Sequence, residues 1–184
     1  MLLTIDVGNT NITMGVFQDE FLQGMFRMTT KQSRTSDEYG FTICGILEHR
    51  GIDPKNIDAV IIASVVPDIM HSLTSGIIKY LDATPVIVSH ETPSGIRVNT
   101  DQPSRTGADR IVNAVAGYAI AKGPVIVVDF GTATTYDLIG PDGTLDACII
   151  APGIETAGRS LWGGAGMLPA IQIRTPESIL AKGT

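Results

Sequence analysis

The pattern Asp-apolar-Gly-(Asn/Thr)-x-(Asn/Thr) is written twice in this chain, as Asp6-Val7-Gly8-Asn9-Thr10-Asn11 and as Asp129-Phe130-Gly131-Thr132-Ala133-Thr134. Each copy follows an apolar run, Leu2-Leu3-Thr4-Ile5 or Ile126-Val127-Val128, and each leads into a second alternating segment and a turn. A strand that ends in aspartate and enters a glycine turn suits a phosphate and its counter-cation. Glycine permits the sharp turn and close backbone approach, Thr and Asn offer donors, and the carboxylate takes a hard cation. One Asp-Gly turn can equally close an ordinary hairpin. Two copies with matched flanks instead predict duplicated α/β halves whose loops face one another across a cleft, with Asp6 and Asp129 at carboxyl ends of strands, where open α/β sheets bind ligands.

The bulk numbers bound this reading. The 184 residues are 43% hydrophobic and 17% charged, which describes a soluble globular chain able to bury one good core or two small ones. A net charge of −6 with scattered Lys and Arg argues against nucleic acid as a partner. It does not exclude an anionic small ligand, since backbone amides and a bound cation neutralise charge locally. No apolar run reaches the roughly 18 residues of a membrane span, and the first residues read directly as a strand rather than a signal peptide. A cytoplasmic protein without a membrane partner is expected. Cys44 and Cys148 stand alone in apolar surroundings and read as core thiols of a reducing compartment. His49, His71 and His90 have no metal-ligand spacing, and Ser33 and Ser104 have no His-Asp arrangement beside them. Trp162 beside Gly163-Gly164 reads as core, with a ligand-stacking platform as the alternative.

Along the chain, residues 2–6, 12–17 and 21–29 read as a three-stranded meander. Thr35-Ser36-Asp37-Glu38 has the form of a capping box opening a helix that ends near Gly51. A buried strand over 57–65, a helix from Pro67 to about Leu81 and a strand over 85–89 complete β-β-β-α-β-α-β, the order of one ribonuclease-H-like domain. Residues 90–106 read as a surface loop, and 107–122 as a helix with Ile111, Ala114, Val115 and Tyr118 on one face. Strands over 125–129, 133–139 and 144–150 repeat the opening meander, followed by a helical segment over 153–168 that loosens at its glycines. The expected fold class is α/β, with duplicated ribonuclease-H-like (actin-like ATPase) domains. The expected boundaries are 1–122 for the first, carrying the 107–122 helix, and 123–184 for the start of a second, incomplete one.

Between the two copies stands the unrepeated Gly107-Ala108-Asp109-Arg110. At a helix start, free N–H groups and the helix dipole favour an anion. Arg110 there can pair with a carboxylate substrate, and Asp109 can take the proton of a hydroxyl attacking a γ-phosphate. The plainer reading makes Asp109 a residue that favours a helix N-terminus and Arg110 a solvated surface charge. No Gly-x-x-x-x-Gly-Lys-(Ser/Thr) and no Gly-x-Gly-x-x-Gly after a strand occurs, so phosphate is not handled by a Walker or dinucleotide loop.

Paired Asp-Gly loops of this kind resemble those of the actin, heat-shock-70 and sugar-kinase superfamily. Asp6-x-Gly8-Asn9-Thr10-Asn11, Gly107-Ala108-Asp109-Arg110-Ile111-Val112-Asn113-Ala114, Asp129-Phe130-Gly131-Thr132-Ala133-Thr134-Thr135 and Pro152-Gly153-Ile154, in this order, resemble type III pantothenate kinases. The resemblance implies ATP-dependent phosphorylation of pantothenate, the first step towards coenzyme A. It implies an ATP loop of Asp6, Val7, Gly8, Asn9, Thr10, Asn11, Ile12 and Thr13, with Thr132 as a second ATP contact. Pantothenate would be bound by Gly107, Ala108, Asp109, Arg110 and Thr184, with Asp109 as proton acceptor. A monovalent cation (K⁺ or NH₄⁺) would sit at Asp129 and Mg²⁺ near Asp6, in a homodimer. Where the family has a Tyr seven residues before the first Gly of Gly-Ala-Asp-Arg, this chain has Thr100. Family members also continue beyond position 184. The rival reading is a non-catalytic regulatory or accessory relative of the same fold; retention of Asp6, Asp109 and Asp129 together argues against it. A phosphatase of the superfamily is disfavoured because no glutamate-led water-activating motif can be placed.

Overall fold

The computed structural model describes residues 1–164, 173–175 and 178. Nine strands and four α-helices occur among them: β1 (Leu2–Val7), β2 (Asn11–Gln18), β3 (Phe21–Thr29), α1 (Ser36–His49), β4 (Ala59–Ser64), α2 (Met70–Leu81), β5 (Val86–Ile87), β6 (Arg97–Val98), α3 (Ala108–Ala121), β7 (Val125–Phe130), β8 (Ala133–Ile139), β9 (Thr144–Pro152) and α4 (Ile154–Gly164). They form a five-stranded sheet in the order β3-β2-β1-β4-β5 and a four-stranded sheet in the order β6-β9-β8-β7. The chain divides into two compact units, Met1–Val127 with Asp137–Cys148, and Val128–Tyr136 with the chain from Ile149.

In the first sheet the meander β1–β3 is antiparallel, and β4 then adds parallel to β1 and β5 parallel to β4. Alternation decides which way each side chain of β1 faces. Leu3, Ile5 and Val7 are buried, and register aligns them with Val60, Ile62 and Ser64 of β4. Asp6 falls on the opposite, exposed side of the strand, aligned with Thr13 of β2 and Ala63 of β4. Tyr39, Ile43 and Leu47 of α1 and Leu73, Ile77 and Leu81 of α2 complete one continuous core with β1, β2 and β4. The two helices approach closely because Gly76 has no side chain: a Cβ there would lie 2.4 Å from the Ser36 carbonyl oxygen.

Local chemistry explains the element ends. The capping box at α1 is present, with Thr35 Oγ1 accepting from the Glu38 N–H (3.3 Å) and the Glu38 carboxylate accepting from the Thr35 N–H (2.7 Å). Pro67 opens a short 3-10 turn (Pro67–Ile69) that leads into α2, so α-helix proper starts at Met70. One segment departs from expectation. The 90–106 stretch is not all loop: Arg97 and Val98 form β6, paired parallel with Thr144 and Leu145 of β9. Trp162 is half-buried, with its ring against Gly158 of its own helix. Of the helical segment expected over 153–168, residues 154–164 are helix and the remainder lies outside the described residues.

Candidate active site

The first loop is a turn anchored at both ends. Val7 and Ile12 are fully buried, and burying such a side chain contributes roughly 1.5–3 kcal/mol. Between them the Gly8 N–H donates to the Asn11 carbonyl (3.0 Å), which leaves Asn9, Thr10 and Asn11 exposed. Thr30, just past β3, clamps the turn from the side. Its hydroxyl donates to the Gly8 carbonyl (2.7 Å) and its N–H to the Thr10 carbonyl (3.0 Å). Of the residues expected to contact nucleotide, Val7 and Ile12 therefore hold the turn with buried side chains, and the polar side chains of the tip face outward. Sequence reasoning did not find Thr30, because nothing local distinguishes it from other threonines at strand ends.

The Gly107–Arg110 segment begins α3, and no side chain caps that helix. Asp109 folds back over the helix start: its Oδ1 accepts the Arg110 N–H at 2.8 Å. A Cβ on Gly107 would lie 2.4 Å from that same oxygen. Gly107 is thus the residue that makes room for the Asp109 carboxylate. Ala108 packs into a small cluster with Ala63, Val88 and Ile111, which seats α3 against the end of β4.

Val65, immediately after β4, joins the two motifs. Its N–H donates to the Val7 carbonyl (3.1 Å), and its Cγ1 lies 3.4 Å from where a Gly107 Cβ would be. Segments a hundred residues apart in sequence therefore meet through one residue at the carboxyl ends of parallel strands, where α/β sheets place ligands. Thr100, the position at which the expected aromatic is missing, has its hydroxyl 2.8 Å from that of Thr106 and so ties the preceding loop to the start of α3.

Arg110 is not the solvated charge of the plainer reading. Its side chain is 9% exposed, and Nε lies 3.0 Å from Oδ1 of Asp137 on β8, which is 0% exposed. Cys148 of β9 neighbours the same carboxylate. Burial raises the pKa of Asp137 against the opposing pull of Cys148 and Arg110. Burial, then Asp137, pushes the Cys148 thiol up to about 11. Cys148 packs against the small core of Ala114, Ile139 and Leu145, as expected of a core thiol, and stands beside this buried carboxylate.

The second loop repeats the turn chemistry within its own unit. The Gly131 N–H donates to the Ala133 carbonyl (2.9 Å), and Asp129 and Thr132 are exposed. The start of α4 packs directly on this turn. The Gly153 N–H (3.1 Å) and the Thr156 hydroxyl (2.9 Å) both donate to the Thr132 carbonyl. A Cβ on Gly153 would come within 2.2 Å of the Gly131 carbonyl oxygen, so the Pro152-Gly153-Ile154 motif is what lets helix and loop touch. Thr184 lies outside the described residues. No group of three or more metal-ligating side chains occurs among the described residues, and no described helix is long and apolar enough to cross a membrane.

The sequence profile of the type III pantothenate kinases matches residues 2–184. The chain is 50% identical over all its 184 residues to a type III pantothenate kinase from Agathobacter rectalis, covering 71% of that protein. It is 42% identical over the same length to one from Bifidobacterium adolescentis, covering 72% of it. Among solved structures, the type II variant of the Ppx/GppA phosphatase from Aquifex aeolicus aligns with a TM-score of 0.51 at 13% identity, over 86% of this chain and 54% of that one. That likeness concerns the fold, which is the actin-like ATPase and sugar-kinase fold.

Proposed function

The chain belongs to the type III pantothenate kinase family, and from that premise we propose that it uses ATP to phosphorylate the primary hydroxyl of pantothenate, the first step towards coenzyme A. The observation that carries the site assignment is the junction at Val65, which brings the first glycine turn and the start of α3 together. In this reading the α3 N-terminus and Arg110 hold the pantothenate carboxylate, with Gly107, Ala108 and, from the chain's end, Thr184 completing the substrate site. Asp109 orients the hydroxyl and accepts its proton as the oxygen bonds to the γ-phosphorus and the bond to the β–γ bridging oxygen breaks.

The nucleotide belongs to residues 6–13 and to Thr132. Exposed amide and hydroxyl groups on a turn fixed by Val7, Ile12 and Thr30 fit phosphate oxygens without reorganisation. Asp6 and Asp129 are exposed carboxylates at strand ends, a hard oxygen donor type that fits Mg²⁺ at the first and K⁺ or NH₄⁺ at the second. Cations held there would neutralise phosphate charge. The same reading includes a cytoplasmic homodimer and a division into residues 1–122 and 123–184 as the two ribonuclease-H-like halves. A coupled ADP-release assay tests it. ADP release is expected to depend on pantothenate and to fall when K⁺ is exchanged for Na⁺; turnover indifferent to pantothenate would overturn it.

A further inference from the structure

We propose that Asp137 is a positioning residue for Arg110: a buried carboxylate on β8 fixes the guanidinium at the start of α3 in the orientation that receives the substrate's carboxylate. This rests on the reading of Arg110 as a pantothenate ligand and extends it to a residue outside every motif noted in the sequence. The argument is geometric. Asp137 is fully buried, Arg110 nearly so, and the contact runs through Nε at 3.0 Å. A buried ion pair is a poor source of stability in itself, because desolvation offsets the attraction and apolar replacements of similar volume are often neutral or better. The pair does more for orientation. Arginine is long and rich in rotamers, and a buried carboxylate facing Nε at ion-pair distance restricts the orientations open to the guanidinium. A planar fork held in place binds a carboxylate with two parallel hydrogen bonds and little further loss of freedom. Cys148 of β9 neighbours the same carboxylate and packs against the core of Ala114, Ile139 and Leu145, so Asp137 sits in confined surroundings. Arg110 and Asp109 are adjacent in the first turn of α3, so the tilt of the bound substrate at one sets where its hydroxyl falls at the other.

Equilibrium binding tests this without relying on turnover. Pantothenol, with a hydroxymethyl group in place of the carboxylate, is titrated calorimetrically beside pantothenate. The wild type is expected to prefer pantothenate, and Asp137→Asn to reduce that preference about tenfold, with ATP affinity unchanged. Asp137→Glu keeps the charge and moves it by one methylene. It is the variant of choice if Asp137→Asn does not fold, and it too is expected to lose preference. A purely structural role leaves the pantothenate-to-pantothenol ratio intact in whichever variant folds, and that result overturns the proposal. Arg110→Gln separates the two layers. If it leaves the ratio at the wild-type value, the reading of Arg110 as a carboxylate ligand fails, and this inference with it. If it abolishes the preference while Asp137→Asn and Asp137→Glu retain it, the positioning role alone fails.

Discussion

Asp109 owes its place to the residue two positions before it. Because a Gly107 side chain would collide with Oδ1 and not with backbone, Gly107→Ala is expected to displace the carboxylate and leave the helix standing. The expected outcome is a kcat lowered by about 10²-fold, the scale of a general base moved off its proton. Thermal unfolding should be little changed, which is the check that separates displacement from misfolding. An unaltered kcat would contradict the role given to that contact. The motif residues were legible in sequence because their chemistry is local: glycine, acid and arginine in one helical turn state their use by type and order. Thr30, Val65 and Asp137 were not legible. Each acts through a partner brought near only by folding, and nothing in its neighbours marks it. The burial of Arg110 belongs to the same class, since an arginine in a first helical turn reads as solvated until its acidic partner on β8 is known.

At the scale of elements, hydrophobic period and capping chemistry placed the opening meander, α1, α3 and the second meander close to where they lie. The capping box at Thr35 and Glu38 is a signal that needs no tertiary context. β6 was missed because two residues carry no period, and its partner on β9 lies far along the chain. The second unit supplies an element-level test. Gly153 lets the start of α4 rest on the turn carrying Thr132, and the atoms a new Cβ would meet are carbonyl oxygens that no rotamer change can move. Gly153→Ala is therefore expected to force helix and loop apart at about 1–3 kcal/mol. If Thr132 contacts ATP, KM for ATP rises by roughly tenfold while the affinity for pantothenate is retained. Equal effects on both ligands would argue against a nucleotide role for this turn.

For the molecule as a whole, the twofold Asp-x-Gly pattern predicted a duplicated α/β architecture, and the fold is that of the actin-like ATPases and sugar kinases. What the repeat does not hold is the identity of the reaction, which rests on the unrepeated Gly107–Arg110 segment and on membership of the kinase family. The core built on β1, β2 and β4 turns Asp6 to the exposed side and sets the first glycine turn beside the start of α3 through Val65. That convergence makes phosphoryl transfer to a carboxylate-bearing alcohol the reading with the fewest added assumptions. The measurement that tests it most directly is ³¹P NMR of ATP and pantothenate incubated with the wild type and with Asp109→Asn. The account predicts a phosphomonoester resonance of 4′-phosphopantothenate growing with ADP in the wild type and absent in the variant. Formation of that product at undiminished rate by Asp109→Asn, or ADP without phosphopantothenate from the wild type, would contradict it.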